Sequence, residues 1–456
     1  MSSILPNDLI NSLKGNPDFD YKAFVSLHDK EEKTSSIRFN PLKSISIDDY
    51  NIEGKVPWCN DAYYLKERPK FTLDPLFHSG CYYSQEASSM FVDYAIRKLG
   101  LNSISGIKAL DLCAAPGGKS TLINSALNTN SLLVSNELIK SRVNILTQNM
   151  VRWGRSNIVI SNNDPSAFSR LPGFFDFMLV DAPCSGSGMF HKDHSAIGEW
   201  SLANVKLCSE RQKRILAQSL ATLKSGGYLF YSTCSYSKEE NEDIVDWLID
   251  EFNFESINLD VDKNWSITES LSDIHNAISY RFYPHLLNGE GFFFSVLKRK
   301  DDQESFSMKK VKSEKSNIPI HLALDWVDMS NHIGFMQNSY LHVFPDVFEN
   351  DLFALKKSLY LKNAGIEVGE VKGKELIPSH DLALSNIVLD SIQSIDLSLD
   401  QAVNFLRKEN ISNDINVNNL RGWVLMKYKN INIGWIKAMP NRINNYYPKE
   451  IRIWNL

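Results

Sequence analysis

Cysteine is scarce in this chain of 456 residues, and none of its six cysteines forms the Cys-x-x-Cys pair typical of structural zinc sites. We therefore expect neither a disulfide scaffold nor a metal. No apolar run approaches the roughly 18 residues needed to cross a bilayer, and the N-terminus lacks the basic start and apolar stretch of a secretory signal. These absences predict a cytoplasmic protein with no membrane partner, which we expect to be a monomer.

Two common nucleotide fingerprints are missing as well. The stretch CAAPGGKS at 113–120 matches neither G-x-G-x-x-G nor the phosphate loop G-x-x-x-x-G-K-[ST]. Excess positive charge is also absent, and a net charge of −5 argues against a protein that coats nucleic acid over its whole surface. Residues 421–456 nevertheless carry seven Lys or Arg against one acid, a surplus of six (7 − 1). This segment is either a solvated surface or a contact for an anionic partner.

The charged stretch KRKDDQESFSMKKVKSEKSN at 298–317 has almost no apolar periodicity and predicts a linker. Before it, short apolar runs alternate with helical patterns of ten or more residues, which indicates parallel βαβ units. The segments AISYRFYPH and GFFFSVLKR predict an antiparallel hairpin at one edge of the sheet. We therefore divide the chain into a small α+β extension (1–95), an α/β domain (96–300), a linker (301–317) and a smaller mixed region (318–456).

Acidic residues follow four successive predicted strands, at the edge where open α/β sheets bind their ligands. Asp111 follows the first strand, Glu137 the second, Asp164 the third and Asp181 the fourth. A carboxylate after the second strand can accept both hydroxyls of a ribose. A carboxylate after the third can accept from an adenine amino group. A single acid at a strand end is usually a solvated cap. Acids at the same position after successive strands instead predict a cofactor that carries adenosine. Because the phosphate loop is missing, S-adenosylmethionine is the cofactor that fits.

Two cysteines follow the fourth and fifth predicted strands, Cys184 in DAPCSG and Cys234 in YSTCSYS. Their loops should face each other over the same crevice. Taken singly, each can be a buried and inert thiol, as we expect for Cys208 inside a helical stretch. Taken as a pair, they fit methyl transfer to carbon 5 of cytosine, which becomes nucleophilic once a thiolate adds to carbon 6. Cys234, Asp181 and Cys184 can supply the nucleophile, an acid near N3 and assistance to elimination.

Three motifs, DLCAAPGGKS, DAPCSGSGMF and YSTCSYSKEENE, resemble the strongest motifs of the RNA cytosine-C5 methyltransferases, the superfamily of the NSUN and bacterial RsmB and RsmF enzymes. SGCYYSQEASSM at 79–90 resembles the family segment before the first strand, and RFYPHLLNGEGFFFSVLKR at 281–299 its closing hairpin. IRFNPLKS, GKELIPSHDLALS and GWIKAMPNRINNYYPKEIRI are similar to the RsmF branch, which modifies small-subunit ribosomal RNA. The resemblance implies an α/β, Rossmann-like class I methyltransferase fold with an N-terminal RNA-binding extension and a C-terminal PUA-like RNA-binding region.

The resemblance also implies roles for the candidate site residues. Cys234 is expected to be the nucleophile, Cys184 to help release the product, and Asp181 to be the acid beside base and cofactor. Lys119 either orients groups in the site or caps its helix on the surface. The residues expected to contact S-adenosylmethionine are Cys113, Ala114, Ala115, Pro116, Gly117, Gly118, Lys119, Glu137, Asp164 and Asp181.

These patterns together predict an enzyme that methylates carbon 5 of a cytosine in RNA through a covalent bond between cysteine and carbon 6. The expected partner is 16S ribosomal RNA or the small ribosomal subunit. The same chemistry on transfer RNA or 23S ribosomal RNA remains an alternative, as does a non-catalytic RNA-binding factor of ribosome assembly. Six aromatic residues among the C-terminal cations either stack on bases or form the core of that region.

Overall fold

A computed structural model describes residues 5–29, 34–300, 318–409, 420–440 and 442–454, so the predicted linker at 301–317 lies outside the described residues. The N-terminal elements are α1 (Asn7–Leu13), α2 (Tyr21–His28), β1 (Ser35–Phe39), β2 (Ile52–Lys55), β3 (Ala62–Leu65), α3 (Pro75–His78) and β4 (Tyr82–Ser84). The central elements are α4 (Phe91–Lys98), β5 (Lys108–Asp111), α5 (Gly118–Ala126), β6 (Leu132–Asn136), α6 (Lys140–Trp153), β7 (Ile158–Ser161), β8 (Phe175–Asp181), α7 (Leu202–Ser219), β9 (Leu223–Thr233), α8 (Glu242–Phe252), β10 (Phe254–Ser256), β11 (Thr268–Leu271), β12 (Ile278–Phe282) and β13 (Phe292–Arg299). The C-terminal elements are β14 (His332–Gln337), β15 (Tyr340–Pro345), α9 (Glu349–Ser358), β16 (Leu361–Ala364), β17 (Ile366–Lys372), β18 (Glu375–Pro378), α10 (His380–Leu384), β19 (Ser394–Leu397), α11 (Leu399–Arg407), β20 (Gly422–Tyr428), β21 (Ile431–Met439) and β22 (Arg442–Asn445).

The central domain is built on a sheet with the strand order β11-β12-β13-β9-β8-β5-β6-β7-β16, and β10 pairs with β13. The five strands from β9 to β7 run parallel, as the βαβ pattern predicts. Strands β12 and β13 form the predicted antiparallel hairpin, and β13 attaches it to β9. The first parallel strand, β5, lies in the middle of the sheet. Strands β6 and β7 follow on one side of it and β8 and β9 on the other, so the strand order reverses between β5 and β8. In doubly wound sheets this reversal point is where ligands bind.

Helices cover both faces of this sheet, which explains why its central strands are almost continuously apolar. On one face, α4, α5 and α6 bury side chains such as Leu122 and Leu146 in the core, and on the other α7 and α8 bury Leu216 and Leu248. No helix in the described part of the chain is both long and apolar enough to cross a bilayer.

The N-terminal region forms an antiparallel sheet in the order β2-β3-β1-β4. Arg38 of β1 joins this sheet to the central domain. Its buried guanidinium donates to Thr121 Oγ1 at 2.7 Å and to the carbonyl of Gly118 at 3.3 Å, both in the first turn of α5. The N-terminal region therefore supports the loop that precedes α5.

The C-terminal part of the chain folds as two four-stranded sheets, β14-β15-β17-β18 and β19-β20-β21-β22. Between β15 and β17 in the order of the chain, β16 pairs antiparallel with β7 and extends the central sheet. Leu352 and Leu355 of α9 lie in the same apolar core as α7 and α8. The region after 317 is therefore partly built into the central domain, where β16 covers an otherwise open strand edge.

Candidate active site

A cavity of about 340 Å³ opens where the strand order reverses, at the carboxyl ends of β5 and β8. This volume suits a small-molecule ligand. Among the residues predicted to form the site, those that line the cavity are Cys113, Ala114, Ala115, Pro116, Gly118, Lys119, Asp181 and Cys234. The structure thus brings together most of the 113–119 loop, the acid that ends β8 and the cysteine that follows β9.

The two glycines of the loop are required for different structural reasons. Gly117 has a φ of +112°, a left-handed conformation that side chains rarely adopt. A Cβ on Gly118 would lie 3.3 Å from the ring of Tyr83, so the absence of a side chain keeps this wall of the cavity open. Arg142 and Asn149 of α6 donate to the carbonyls of Ala115 and Pro116 at 2.8 and 2.7 Å. The loop is therefore fixed from outside while its inner face stays free.

Asp111 places a carboxylate with one unsatisfied oxygen on the cavity wall. The side chain is fully buried, and Ser120 donates to its Oδ2 at 2.6 Å. Its Oδ1 has no hydrogen-bond partner among the described residues. Burial raises the pKa of Asp111 to about 7, although the hydrogen bond from Ser120 opposes this shift. A buried acceptor without a partner is costly, which indicates that a ligand donor belongs here.

Glu137 and Asp164 stand at the same edge of the sheet but outside the lining of this cavity. Glu137 directly follows β6, and its Oε1 accepts the backbone N–H of Ile139 at 2.8 Å. Asp164 lies three residues after β7, is exposed, and accepts the N–H of Ser166 at 3.0 Å. Both carboxylates are oriented by their own loops.

The two cysteines meet at the end of the neighbouring strands β8 and β9. Their Sγ atoms are 3.1 Å apart, well beyond the disulfide length of about 2.05 Å, and both are free thiols. The hydrogen bond to Cys234, together with burial, raises the pKa of Cys184 well above that of an ordinary thiol. Cys184 is therefore held protonated and can donate to Cys234, which is the member of the pair on the cavity wall.

Glu240 ties the two cysteine loops together. Its buried carboxylate accepts the N–H of Ser185 at 2.7 Å, the hydroxyl of Ser185 at 2.6 Å and the hydroxyl of Ser235 at 2.5 Å. Asn241 adds a hydrogen bond to the carbonyl of Ser235 at 2.8 Å and accepts from Thr233 at 2.6 Å. Strand β9 ends just before Cys234, because the hydrogen bonds of Thr233 and Ser235 to Asn241 and Glu240 hold the chain against the start of α8.

Replacing Glu240 with Ala should destabilise the fold, because three buried donors would lose their acceptor. We expect the free energy of unfolding to fall by at least about 1 to 3 kcal/mol, the range for a buried polar group left unsatisfied. Chemical denaturation measures this loss, and Glu239→Ala at the exposed neighbouring position is the matched control. Equal stability of the two variants would contradict this role of Glu240.

Lys119 and Asp181 form an ion pair on the cavity wall, with Nζ and Oδ2 2.9 Å apart. Ser232 donates to the other oxygen of Asp181 at 2.7 Å. Burial disfavours the charge on Lys119, but Asp181 and Cys234 outweigh it and raise the pKa of Lys119 above its ordinary value. The structure thus places Lys119 in the cavity, as a permanent cation between an acid and a thiol.

Several lining residues were not singled out from the sequence. They come from β4 and the residues after it, from the loop after Cys184 and from the start of β13, and include Tyr83, Gln85, Glu86, Ser89, Met189, Lys192, Glu290 and Phe292. Glu290 lies 3.4 Å from Nδ1 of the buried His191. Their segments carried family resemblance, but a lone polar residue in a loop has no periodicity or spacing that marks it as part of a site. Within the described residues, no group of three or more His, Cys, Asp or Glu is arranged to hold a metal ion.

Comparisons with known proteins agree along the chain. Family models match at residues 5–87 (N-terminal domain of 16S rRNA methyltransferase RsmF), 99–298 (16S rRNA methyltransferase RsmB/F) and 392–453 (methyltransferase RsmF PUA domain). The ribosomal RNA small subunit methyltransferase F of Vibrio parahaemolyticus is 31% identical over 91% of this chain and 91% of its own length. The protein of that name from Psychromonas ingrahamii is 29% identical over 99% and 95%. A methyltransferase homolog from Pyrococcus horikoshii has a solved structure that matches with a TM-score of 0.53 and 26% identity, over 65% of this chain and 100% of that one.

Proposed function

This chain belongs to the RsmF family of small-subunit ribosomal RNA methyltransferases, and from this premise we propose that it methylates carbon 5 of a cytosine in 16S ribosomal RNA. The observation that carries the proposal is the pair of free thiols 3.1 Å apart at a cavity that also contains the ion pair of Lys119 and Asp181. A reaction on ribosomal RNA also assigns the enzyme to the cytoplasm.

The cavity fits S-adenosylmethionine as the cofactor. The unsatisfied oxygen of Asp111 suits a cationic amine, and the glycine loop admits a ligand close to the backbone. When bound, the cofactor supplies a methyl group on an electrophilic sulfonium. We assign the ribose hydroxyls to Glu137 and the adenine amino group to Asp164, because of their positions after β6 and β7.

Cys234 is the proposed nucleophile, because its thiol lies on the cavity wall beside the permanent cation Lys119. Its thiolate adds to carbon 6 of the cytosine and pushes electrons towards carbon 5 and N3. Asp181 is the proposed acid near N3, and the ammonium of Lys119, 2.9 Å away, holds it in place. Carbon 5 thereby becomes electron-rich enough to take a methyl group.

Cys184 is proposed to act in the last step. After methylation, N3 returns its proton to Asp181, carbon 5 loses its proton to solvent, the double bond between carbons 5 and 6 forms again, and the bond from carbon 6 to Cys234 breaks. The departing sulfur carries the electron pair. Cys184, held protonated 3.1 Å away, donates to that sulfur and so favours its release.

The substrate is tested by bisulfite sequencing of ribosomal and transfer RNA from a strain that lacks the gene. We expect one protected cytosine in 16S ribosomal RNA to disappear and to return when the intact gene, but not the gene for Cys234→Ala, is restored. Loss of a protected cytosine in transfer RNA or 23S ribosomal RNA instead would mean that the enzyme performs the same chemistry on that RNA. An unchanged pattern in all RNAs would favour the non-catalytic assembly factor.

The pKa of Asp111 predicts that cofactor binding depends on pH. A carboxyl with a pKa of about 7 is neutral below that pH and charged above it, so it attracts a cationic amine only on the alkaline side. We expect the affinity for S-adenosylmethionine to fall by up to about tenfold per pH unit below pH 7, the limit for one linked proton. Calorimetry between pH 5.5 and about 8 measures this slope.

Two variants separate this effect from the proposed ribose contact. Asp111→Asn should remove the pH dependence. Glu137→Ala should weaken binding by roughly 1 to 3 kcal/mol and keep a pH dependence, because Asp111 remains in place. A slope that persists in Asp111→Asn would assign the titration to another group, and unchanged affinity in Glu137→Ala would remove Glu137 from the cofactor site.

A further inference from the structure

A second cavity, of about 700 Å³, lies between α6 of the central domain and the C-terminal region. It is about twice as large as the candidate active site, and the two share no lining residue. Its walls come from the end of α3, from α6, from the strands β15 to β17, from α10 and from residues 447–452. All three regions of the chain therefore contribute to it.

The interior of this cavity contains buried polar groups without partners. Tyr447 is only 1% exposed, and its hydroxyl has no hydrogen-bond partner among the described residues. The ring of His380 packs edge-on against Tyr447 at 5.1 Å, and neither of its nitrogens has a partner in the described part of the chain. Leaving such groups unsatisfied is costly, and a ligand that completes their hydrogen bonds would recover that cost.

The acidic residues on the wall are suited to the edge of a nucleobase. Burial raises the pKa of Glu367 to about 7, and burial together with Glu367 raises the pKa of Asp381. A neutral carboxyl offers one donor and one acceptor side by side, which matches the adjacent acceptor and N–H of a base. Nδ1 of His342 donates to the carbonyl of Ala364, so its Nε2, 3.9 Å from Glu367, remains an acceptor.

Cations also line the cavity, which suits a ligand that is anionic at one end. Arg152, Lys362 and Arg452 are part of its wall. Arg452 stacks on the ring of Trp454 at 3.5 Å, and Trp454 is 68% exposed. Arginine beside an exposed indole is a typical platform for phosphate and base of single-stranded RNA.

We propose that this cavity binds one unpaired nucleotide of the RNA substrate, outside the cytosine that is methylated. The base would enter towards Tyr447, His380, Glu367 and Asp381, and the phosphate would lie against the three cations. A simple anion would leave the acids unused, and a polyamine would be repelled by the cations. This inference rests on the proposed function, because it takes RNA as the substrate.

The test uses the whole chain with its cofactor site saturated by S-adenosylhomocysteine, so that nucleotides cannot bind in place of the cofactor. Each of the four nucleoside 5′-monophosphates is titrated by calorimetry into the native chain, Tyr447→Phe and Lys362→Gln. Ser279→Ala is the matched control, because it also deletes a buried hydroxyl without a partner among the described residues, in β12 and away from this cavity. Thermal unfolding of each variant reports on stability.

We expect saturable binding of at least one monophosphate to the native chain and to Ser279→Ala. Tyr447→Phe should bind it roughly 3- to 10-fold more weakly, as for one lost hydrogen bond, while its melting temperature stays equal or rises. Lys362→Gln should also weaken binding. No saturable binding of any monophosphate, or equal affinity in Tyr447→Phe, would overturn the proposal.

Methyl transfer to RNA separates this proposal from the function on which it rests. Tyr447→Phe should raise the KM for RNA and leave kcat unchanged. If the native chain methylates RNA and Tyr447→Phe has the same KM, the nucleotide site fails while the function stands. If the native chain methylates no RNA but still binds monophosphates through Tyr447, the function fails instead.

Discussion

Cys184→Ala should accumulate a covalent complex between the protein and its RNA. Attack by Cys234 and methyl transfer can still proceed, but the departing sulfur loses the protonated thiol that lies 3.1 Å away. Turnover should therefore stall with Cys234 bonded to carbon 6. The complex is measured as a band that survives denaturing electrophoresis with labelled RNA, and its methylated form requires S-adenosylmethionine.

Two further variants identify the atoms involved. The double variant Cys184→Ala and Cys234→Ala should give no complex, because the nucleophile is missing. Cys208→Ala, which removes a buried thiol inside α7, should behave like the native chain. A complex that forms in Cys234→Ala and is lost in Cys184→Ala would reverse the roles, as in enzymes that attack from the Pro-Cys loop.

Cys234→Ala should bind RNA and yet fail to methylate it. Without a thiolate on carbon 6, carbon 5 of cytosine is too weak a nucleophile for the methyl donor. We expect the rate to fall by at least roughly 1,000-fold, or about 4 kcal/mol in the activation free energy. A filter assay with labelled methyl donor measures the rate, and RNA binding measured on the same preparation shows that the fold is intact. Methylation at the native rate would indicate that both cysteines are buried, inert thiols.

The parallel core of the fold could be predicted because its signals are local. Short apolar runs separated by helical patterns gave the strands from β5 to β9, and a turn-rich link between two apolar segments gave the hairpin of β12 and β13. The convergence of the Cys184 and Cys234 loops followed from the same logic. Parallel neighbouring strands release their chains at the same edge, so β8 and β9 bring the two sulfur atoms together.

Features that depend on distant pairings could not be predicted. Nothing in LKNA at 361–364 marks it as the strand that covers the edge of β7, because an edge strand is defined by its partner. The sequence also did not predict that Glu240 accepts hydrogen bonds from the Ser185 loop. The segment KEENE is typical of the charged start of a helix, and only the fold places Ser185 beside it. The cavity around Tyr447 combines residues from three regions, and only the folded chain shows that its hydroxyl lacks a partner among the described residues.

In the proposed reaction, Cys234 bonds to carbon 6 of a cytosine whose carbon 5 receives the methyl group. Substrate RNA that carries 5-fluorocytosine tests this bond, because fluorine takes the place of the hydrogen that carbon 5 must lose as a proton, and elimination is blocked. The native chain, given this RNA and S-adenosylmethionine, should be trapped in one complex. Digestion and mass spectrometry should then find a methylated fluorocytosine on the peptide that contains Cys234. A modification on the Cys184 peptide, or full methylation of ordinary RNA with no trapped complex on the fluorinated RNA, would contradict the account.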